Sequence, residues 1–158
     1  MTETQTVIFV CLGNICRSPM AENVMRQLVA AEGLSESILI DSAGTAGYHI
    51  GDPPHAGTRA ILAEYGLPCT GRSRQISTPD MHQPNTWIIA LDESNKNDLL
   101  RLNDTHPKLF KLLEFSDSPL NPTSLDVPDP YYTGDFETVY QLVTAGCAGL
   151  LKQMINGQ

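Results

Sequence analysis

Thr6-Val7-Ile8-Phe9-Val10 is a short apolar, β-branched run, the pattern of a strand buried on both faces. It stops at Cys11. Beyond a polar loop the apolar period changes, with Ala21, Val24, Met25, Leu28 and Ala31 on one helical face that Gly33 closes. Ser18-Pro19 reads as the start of this helix, with Ser as cap and Pro in the first helical position, where a missing N–H costs nothing. Ile38-Leu39-Ile40 predicts a second buried strand, followed by a loop rich in Gly and Pro from Ser42 to Pro54. A helix is expected from about Gly57 to Tyr65, ended by Gly66-Leu67-Pro68.

Trp87 to Leu91 predicts a third strand, Asp92 to Leu102 a helix patterned on Leu99 and Leu102, and Leu109 to Phe115 a fourth strand. The last helix starts near Asp135 and is long and strongly periodic, from Phe136, Val139 and Tyr140 to Leu150, Leu151 and Met154. Gly146 and Gly149 interrupt it at a cost of about 1 kcal/mol each, which points to close packing. Strands alternating with helices imply right-handed crossovers and an α/β fold, a parallel sheet covered on both faces, in one domain over residues 1–158. The connection from Ser116 to Thr133, with Pro119, Pro122, Pro128 and Pro130, is longer than most, a length that marks functional or disordered loops.

Composition removes several functions. With 18 Asp+Glu against 10 Lys+Arg and a net charge of -8, the chain has no basic stripe for nucleic acid or an anionic membrane. No apolar run approaches the ~20 residues of a membrane span. Met1 to Thr6 is polar and lacks the basic start and apolar stretch of a signal peptide, so a cytoplasmic protein is expected. The four cysteines, at 11, 16, 69 and 147, are too few and too unevenly spaced for a disulfide scaffold, and free thiols are expected. They also lack the paired short spacings of a zinc site, so no metal and no cofactor is expected.

Cys11-Leu12-Gly13-Asn14-Ile15-Cys16-Arg17-Ser18 lies between the first strand and the first helix, where open α/β sheets bind anions. The amides of a tight loop converge into an anion nest, and Gly13 and Asn14 are residue types that tolerate the positive φ it requires. Arg17 adds a planar fork for two phosphate oxygens. Amides, helix dipole and guanidinium together favour a thiolate, which makes Cys11 a candidate nucleophile. Ser18 can give its hydroxyl proton to that sulfur or cap the helix. C-x5-R alone is a weak signal, but the preceding strand, the Gly-Asn pair and the following helix start supply its context. The nucleotide-loop alternative, G-x4-G-K-[ST], does not occur.

These residues resemble the low-molecular-weight protein tyrosine phosphatases. The likeness runs from Val7 to the last helix, through Val10 to Glu22, Asp41-Ser42-Ala43-Gly44-Thr45, Arg74-Gln75-Ile76, Leu91 to Asn95 and Asp129-Pro130-Tyr131-Tyr132. The resemblance implies a four-stranded parallel sheet flanked by helices, and metal-free hydrolysis of phosphotyrosine in proteins or peptides through a phosphocysteine. It implies Cys11 as nucleophile, Arg17 as phosphate ligand, and Asp129 as the acid that protonates the phenolate and then activates water. It places Leu12, Gly13, Asn14, Ile15, Cys16 and Ser18 around the phosphate, and Tyr48, Tyr131 and Tyr132 as cleft walls. Ser42 would orient Asn14 and Asp92 would lend support, though both also fit ordinary caps. Cys16 fits two roles, a partner that traps oxidised Cys11 as a disulfide or a space-filling thiol. A monomer is the expected state.

Two departures stand out. Many members have a His shortly before the Arg-Gln dipeptide that helps hold the loop Asn, whereas this chain has Gly71-Arg72-Ser73-Arg74, which implies looser support for Asn14. The acidic-x-Arg often found before the second helix is here Gly57-Thr58-Arg59. Alternative activities on the same fold fit less well. An arsenate reductase needs two further cysteines in the middle third of the chain, and Trp87 to Thr133 contains none. Protein arginine phosphatases tend to carry Thr where Ile15 stands. A silent phosphate-binding module would lack Cys11, Arg17 or Asp129, and all three are present.

Overall fold

Successive side chains of a strand point to opposite faces, and β1 (Gln5–Cys11) serves a different core with each. Val7, Phe9 and Cys11 join one apolar cluster, Ile8 and Val10 the other. In the computed structural model, which describes residues 3–116 and 124–157, β1 lies inside a four-stranded sheet. Its partners are β2 (Ile38–Gly44) and β3 (Thr86–Ala90), and β4 (Leu109–Lys111) pairs with β3. Strand order is β2-β1-β3-β4, all parallel, as the alternating pattern implied. The first face is covered by α1 (Arg17–Ala31), α2 (Ala56–Glu64) and α5 (Phe136–Asn156), which supply Met20, Leu62 and Val143 among others. The second face receives Leu99 from α3 (Glu93–Leu102) and Met81 from a 3₁₀ turn at Pro79–His82.

The order reverses around β1, and the crevice outside the carboxyl end of such a strand is the standard ligand position of an open α/β sheet. Cys11 is its last residue. Three expectations need correction. The first helix begins at Arg17 with Cys16 before it, so Ser18 and Pro19 lie inside the first turn and Ser18 is not the cap. Its hydroxyl is used elsewhere, and Pro19 is tolerated because first-turn N–H groups have no intrahelical acceptor. β2 runs on to Gly44, because Asp41–Gly44 stay in register with Ile8–Cys11. The predicted fourth strand ends at Lys111, whose N–H donates to Glu114 Oε2 (2.6 Å) as the chain turns into a 3₁₀ helix at Leu112–Phe115.

That turn explains the two glycines of α5. A Cβ on Gly146 would fall 2.5 Å from Leu112 Cγ, and one on Gly149 would fall 1.7 Å from the Phe115 carbonyl oxygen. The long connection is not wholly irregular, since Pro130–Thr133 form a short helix, α4, capped by Asp129. Pro119 and Pro122 lie outside the described residues. Among the described residues no helix is long and apolar enough to cross a membrane.

Candidate active site

The loop between β1 and α1 is held from outside by its carbonyl groups. Thr45 N–H donates to Cys11 O (2.9 Å), Ala46 N–H to Leu12 O (3.0 Å), Ser73 Oγ to Gly13 O (2.9 Å) and His55 N–H to Ile15 O (2.7 Å). Thr58 Oγ1 donates to Cys16 O at 3.0 Å. No cis peptide occurs among the described residues, and in a trans peptide the next N–H points opposite to the carbonyl. Turning these oxygens outward therefore turns the amides of residues 12, 13, 14, 16 and 17 toward the inside of the loop. Asn14 carries the positive φ (56°) that the nest needs. Gly13 does not; its missing Cβ instead makes room for His49, whose Cδ2 would stand 3.0 Å from it.

Behind the loop runs a buried chain of hydrogen bonds. Glu22 accepts from Ser42 Oγ, Asn14 Nδ2 donates to Ser42 Oγ (2.9 Å) and to Ser18 Oγ (2.7 Å), and Ser18 Oγ lies 3.0 Å from Cys11 Sγ. Asn14 Oδ1 accepts from Arg74 N–H at 3.0 Å. The looser hold on Asn14 expected from the missing histidine is thus corrected: the Arg74 backbone and two hydroxyls satisfy its amide. Ser42 orients Asn14 as expected, and Glu22, buried and also paired with Arg26 at 2.6 Å, anchors Ser42. Arg26 is a local i,i+4 partner of Glu22, but Ser42, the partner that ties Glu22 to the loop, is remote in sequence.

Arg17, 2% exposed, spans the site. Nη1 donates to Asp92 Oδ2 (2.6 Å) and Val127 O (2.9 Å), Nη2 stands 3.5 Å from Asp129 Oδ2, and Nε is buried with no partner. Burial works against its charge, but Cys11, Asp92 and Asp129 outweigh it and raise its pKa. Asp92 combines both readings left open by the sequence, since Oδ1 caps α3 through Asn95 N–H (2.8 Å). Cys16 is pushed up to about 12 by burial first, then by Cys11 and Asp129, so it stays a thiol near neutrality.

Cys11, Leu12, Gly13, Ile15, Cys16, Arg17 and Asp129 line a cleft of about 290 Å³ with Tyr48, His49, Tyr131 and Tyr132. Of the residues expected around the phosphate, Asn14 and Ser18 do not line it; both are buried behind the loop. His49 is an addition, its Nδ1 lying 3.3 Å from Asp52 Oδ2, and only its place beside Tyr48 could have hinted at it. Among the described residues no group of three or more His, Cys, Asp or Glu is placed to hold a metal ion.

Residues 6–158 match the family described as low molecular weight phosphotyrosine protein phosphatase. The chain belongs to that family. It is 45% identical over 152 residues to the low molecular weight protein-tyrosine-phosphatase PtpA of Staphylococcus saprophyticus, covering 96% of this chain and 94% of the relative. It is 49% identical over 155 residues to YfkJ of Bacillus subtilis, named likewise, covering 94% and 95%. The crystal structure of YfkJ aligns with a TM-score of 0.90 over 99% of this chain and 98% of that one. The Drosophila arginine phosphatase structure aligns at 0.83, 29% identical over 94% and 96%.

Within this phosphatase family the second departure also has a physical reason. His55 accepts from Gly57 N–H (2.9 Å) as the cap of α2 and stacks on Phe136, ring centroids 5.3 Å apart. A Cβ at Gly57 would fall 2.3 Å from that Phe136 ring. An acidic side chain has no room there.

Proposed function

We propose that this enzyme hydrolyses phosphotyrosine in cytoplasmic proteins through a phosphocysteine. Cys11 attacks phosphorus, and the S–P bond forms as the bond to the phenolic oxygen breaks. The inward amides and Arg17 stabilise the equatorial oxygens, for which the unpartnered Arg17 Nε is a ready donor. Asp129 gives its proton to the departing phenolate, then takes one from the water that attacks the phosphocysteine, returning Cys11 and inorganic phosphate. The observation that carries this reading is the convergence on one cleft of a thiol bonded by Ser18, an arginine with an unpartnered Nε and a carboxyl beside it. Tyr48, Tyr131 and Tyr132 wall the cleft, which suits an aryl ring and leaves a short phosphoserine without reach to its floor.

The test is a panel of phosphotyrosine, phosphoarginine and phosphoserine peptides with the purified protein in chelator. Phosphate release is expected from phosphotyrosine foremost, abolished in Cys11→Ser and reduced ~10²-fold or more in Asp129→Asn. Near wild-type turnover in either variant would remove the mechanism. Preference for phosphoarginine would reassign the substrate, against the expectation from Ile15 at the cleft wall.

A further inference from the structure

The segment that delivers Asp129 is fixed by an ion cluster outside the cleft. Lys111, at the end of β4, places Nζ 2.8 Å from Asp126 Oδ1 and 3.2 Å from Glu93 Oε2. The same Asp126 oxygen accepts from Glu93 N–H at 2.9 Å, where α3 begins. The Lys111 side chain is 11% exposed, so its charge is largely withdrawn from water and is held by these two carboxylates. One residue on, Val127 N–H donates to Leu91 O (2.9 Å) and Val127 O accepts from Arg17 Nη1. Pro128 then restricts the backbone between this anchored pair and Asp129.

We infer that Lys111 is a positioning residue for Asp129: by fixing Asp126 it sets where the Asp129 carboxyl stands relative to the leaving oxygen. The inference rests on the reading of Asp129 as proton donor. Lys111 does not line the cleft, and its partners Glu93 and Asp126 are 55% and 45% exposed, so the pairs add little stability by themselves. Its effect is geometric, and a misplacement of ~1 Å at a reacting group can cost ~10²-fold in rate.

The experiment compares kcat/KM for phenyl phosphate, whose basic phenolate needs the proton, with 4-nitrophenyl phosphate, whose phenolate leaves readily without it. Lys111→Met keeps the apolar stem and removes the ammonium. Asp126→Asn keeps an acceptor for Glu93 N–H and removes the opposite charge, and it serves alone if Lys111→Met does not fold. Each is expected to lower phenyl phosphate turnover ~10-fold and 4-nitrophenyl phosphate less than ~3-fold, with Lys111→Arg restoring the ratio. Asp129→Asn, run in parallel, should show the same selectivity more strongly. If Asp129→Asn is selective while Lys111→Met and Asp126→Asn affect both substrates equally or neither, the positioning role is overturned and the proton donor stands. If Asp129→Asn is itself unselective, the proton-donor reading fails and the positioning role falls with it.

Discussion

Asn14 uses its two amide hydrogens on Ser42 and Ser18, so the Ser18 oxygen is an acceptor and its one proton is left for Cys11 Sγ at 3.0 Å or the Ala43 carbonyl at 3.5 Å. The amide orientation is set by Asn14 Oδ1, which accepts from Arg74 N–H. A hydroxyl has one proton to give, and with its oxygen already receiving from Asn14, Ser18 can direct that proton to Cys11 Sγ.

Ser18→Ala therefore removes a donor to the attacking Cys11 sulfur, and a hydrogen bond to a charged group is worth about 1.5–3 kcal/mol. The expected loss is ~10- to 100-fold in kcat/KM on an aryl phosphate, with a lowered melting temperature because one buried Asn14 N–H loses its acceptor. Steady-state kinetics beside a thermal melt checks it, and unchanged kcat/KM would show that the bond is idle in catalysis.

Asp92 is a second test because it holds two structures at once, the Arg17 guanidinium and the start of α3. Asp92→Asn preserves an acceptor for the Asn95 amide, whereas Asp92→Ala also loses the cap, for which about 1 kcal/mol is typical. Both variants should raise KM for aryl phosphates by freeing Arg17, and Asp92→Ala should be the less stable of the two in urea. Equal stabilities would mean that the cap contributes nothing.

The sheet and the phosphate loop were legible in the sequence because their signals are local: a β-branched run, a change of period, a Gly-Asn pair. Ser18 was misplaced as a cap for the opposite reason. Its chain neighbours fit a cap, and only partners brought together by folding, Asn14 and Cys11, claim its hydroxyl. The fourth strand failed likewise, since Leu112 and Phe115 are as apolar as a strand needs, and their packing as a 3₁₀ helix against Gly146 and Gly149 joins residues remote in sequence. His49, Val127 and Lys111 carry no motif at all, and their relation to the loop exists only in three dimensions.

Cys16 provides a prediction about reactivity. Its thiol, held near 12, has almost no thiolate at neutral pH, and thiolate is the species that alkylates. Cys147 is raised still further by complete burial. Brief iodoacetamide treatment followed by peptide mass mapping should find the label at Cys11 before either. Prompt labelling of Cys16 would contradict the burial seen here.

A pH dependence of stability follows from Asp80. Burial pushes its carboxyl up, but the Arg74 guanidinium at 2.9 Å and the Ser77 amide and hydroxyl, each at 2.8 Å, more than offset this and hold it below 3.8. A depressed folded-state pKa contributes stability that is complete above the unfolded value and is lost as pH falls through the folded one. The stability difference between wild type and Asp80→Asn should thus be level from neutrality to about pH 5 and shrink below about pH 4. Urea titrations at several pH values measure this, and a difference that persists at pH 2 would exclude the ion pair as its source.

Gly149 sets helix propensity against packing. In an exposed helix interior, Gly→Ala stabilises by about 1 kcal/mol, and α5 is otherwise a strong helix. At Gly149, however, the new methyl would lie 1.7 Å from the Phe115 carbonyl oxygen, a backbone atom that cannot swing aside as a flexible side chain would. Relieving that overlap means moving α5 away from the 3₁₀ turn at Leu112–Phe115, and overpacking of this kind costs about 1–3 kcal/mol or more. The net sign should therefore be destabilising, read as a lower urea midpoint at unchanged m-value. Because Lys111 begins the same turn through its bond to Glu114, Gly149→Ala should also diminish phenyl phosphate turnover more than that of 4-nitrophenyl phosphate. A gain in stability would mean that α5 is not pressed against this turn in solution.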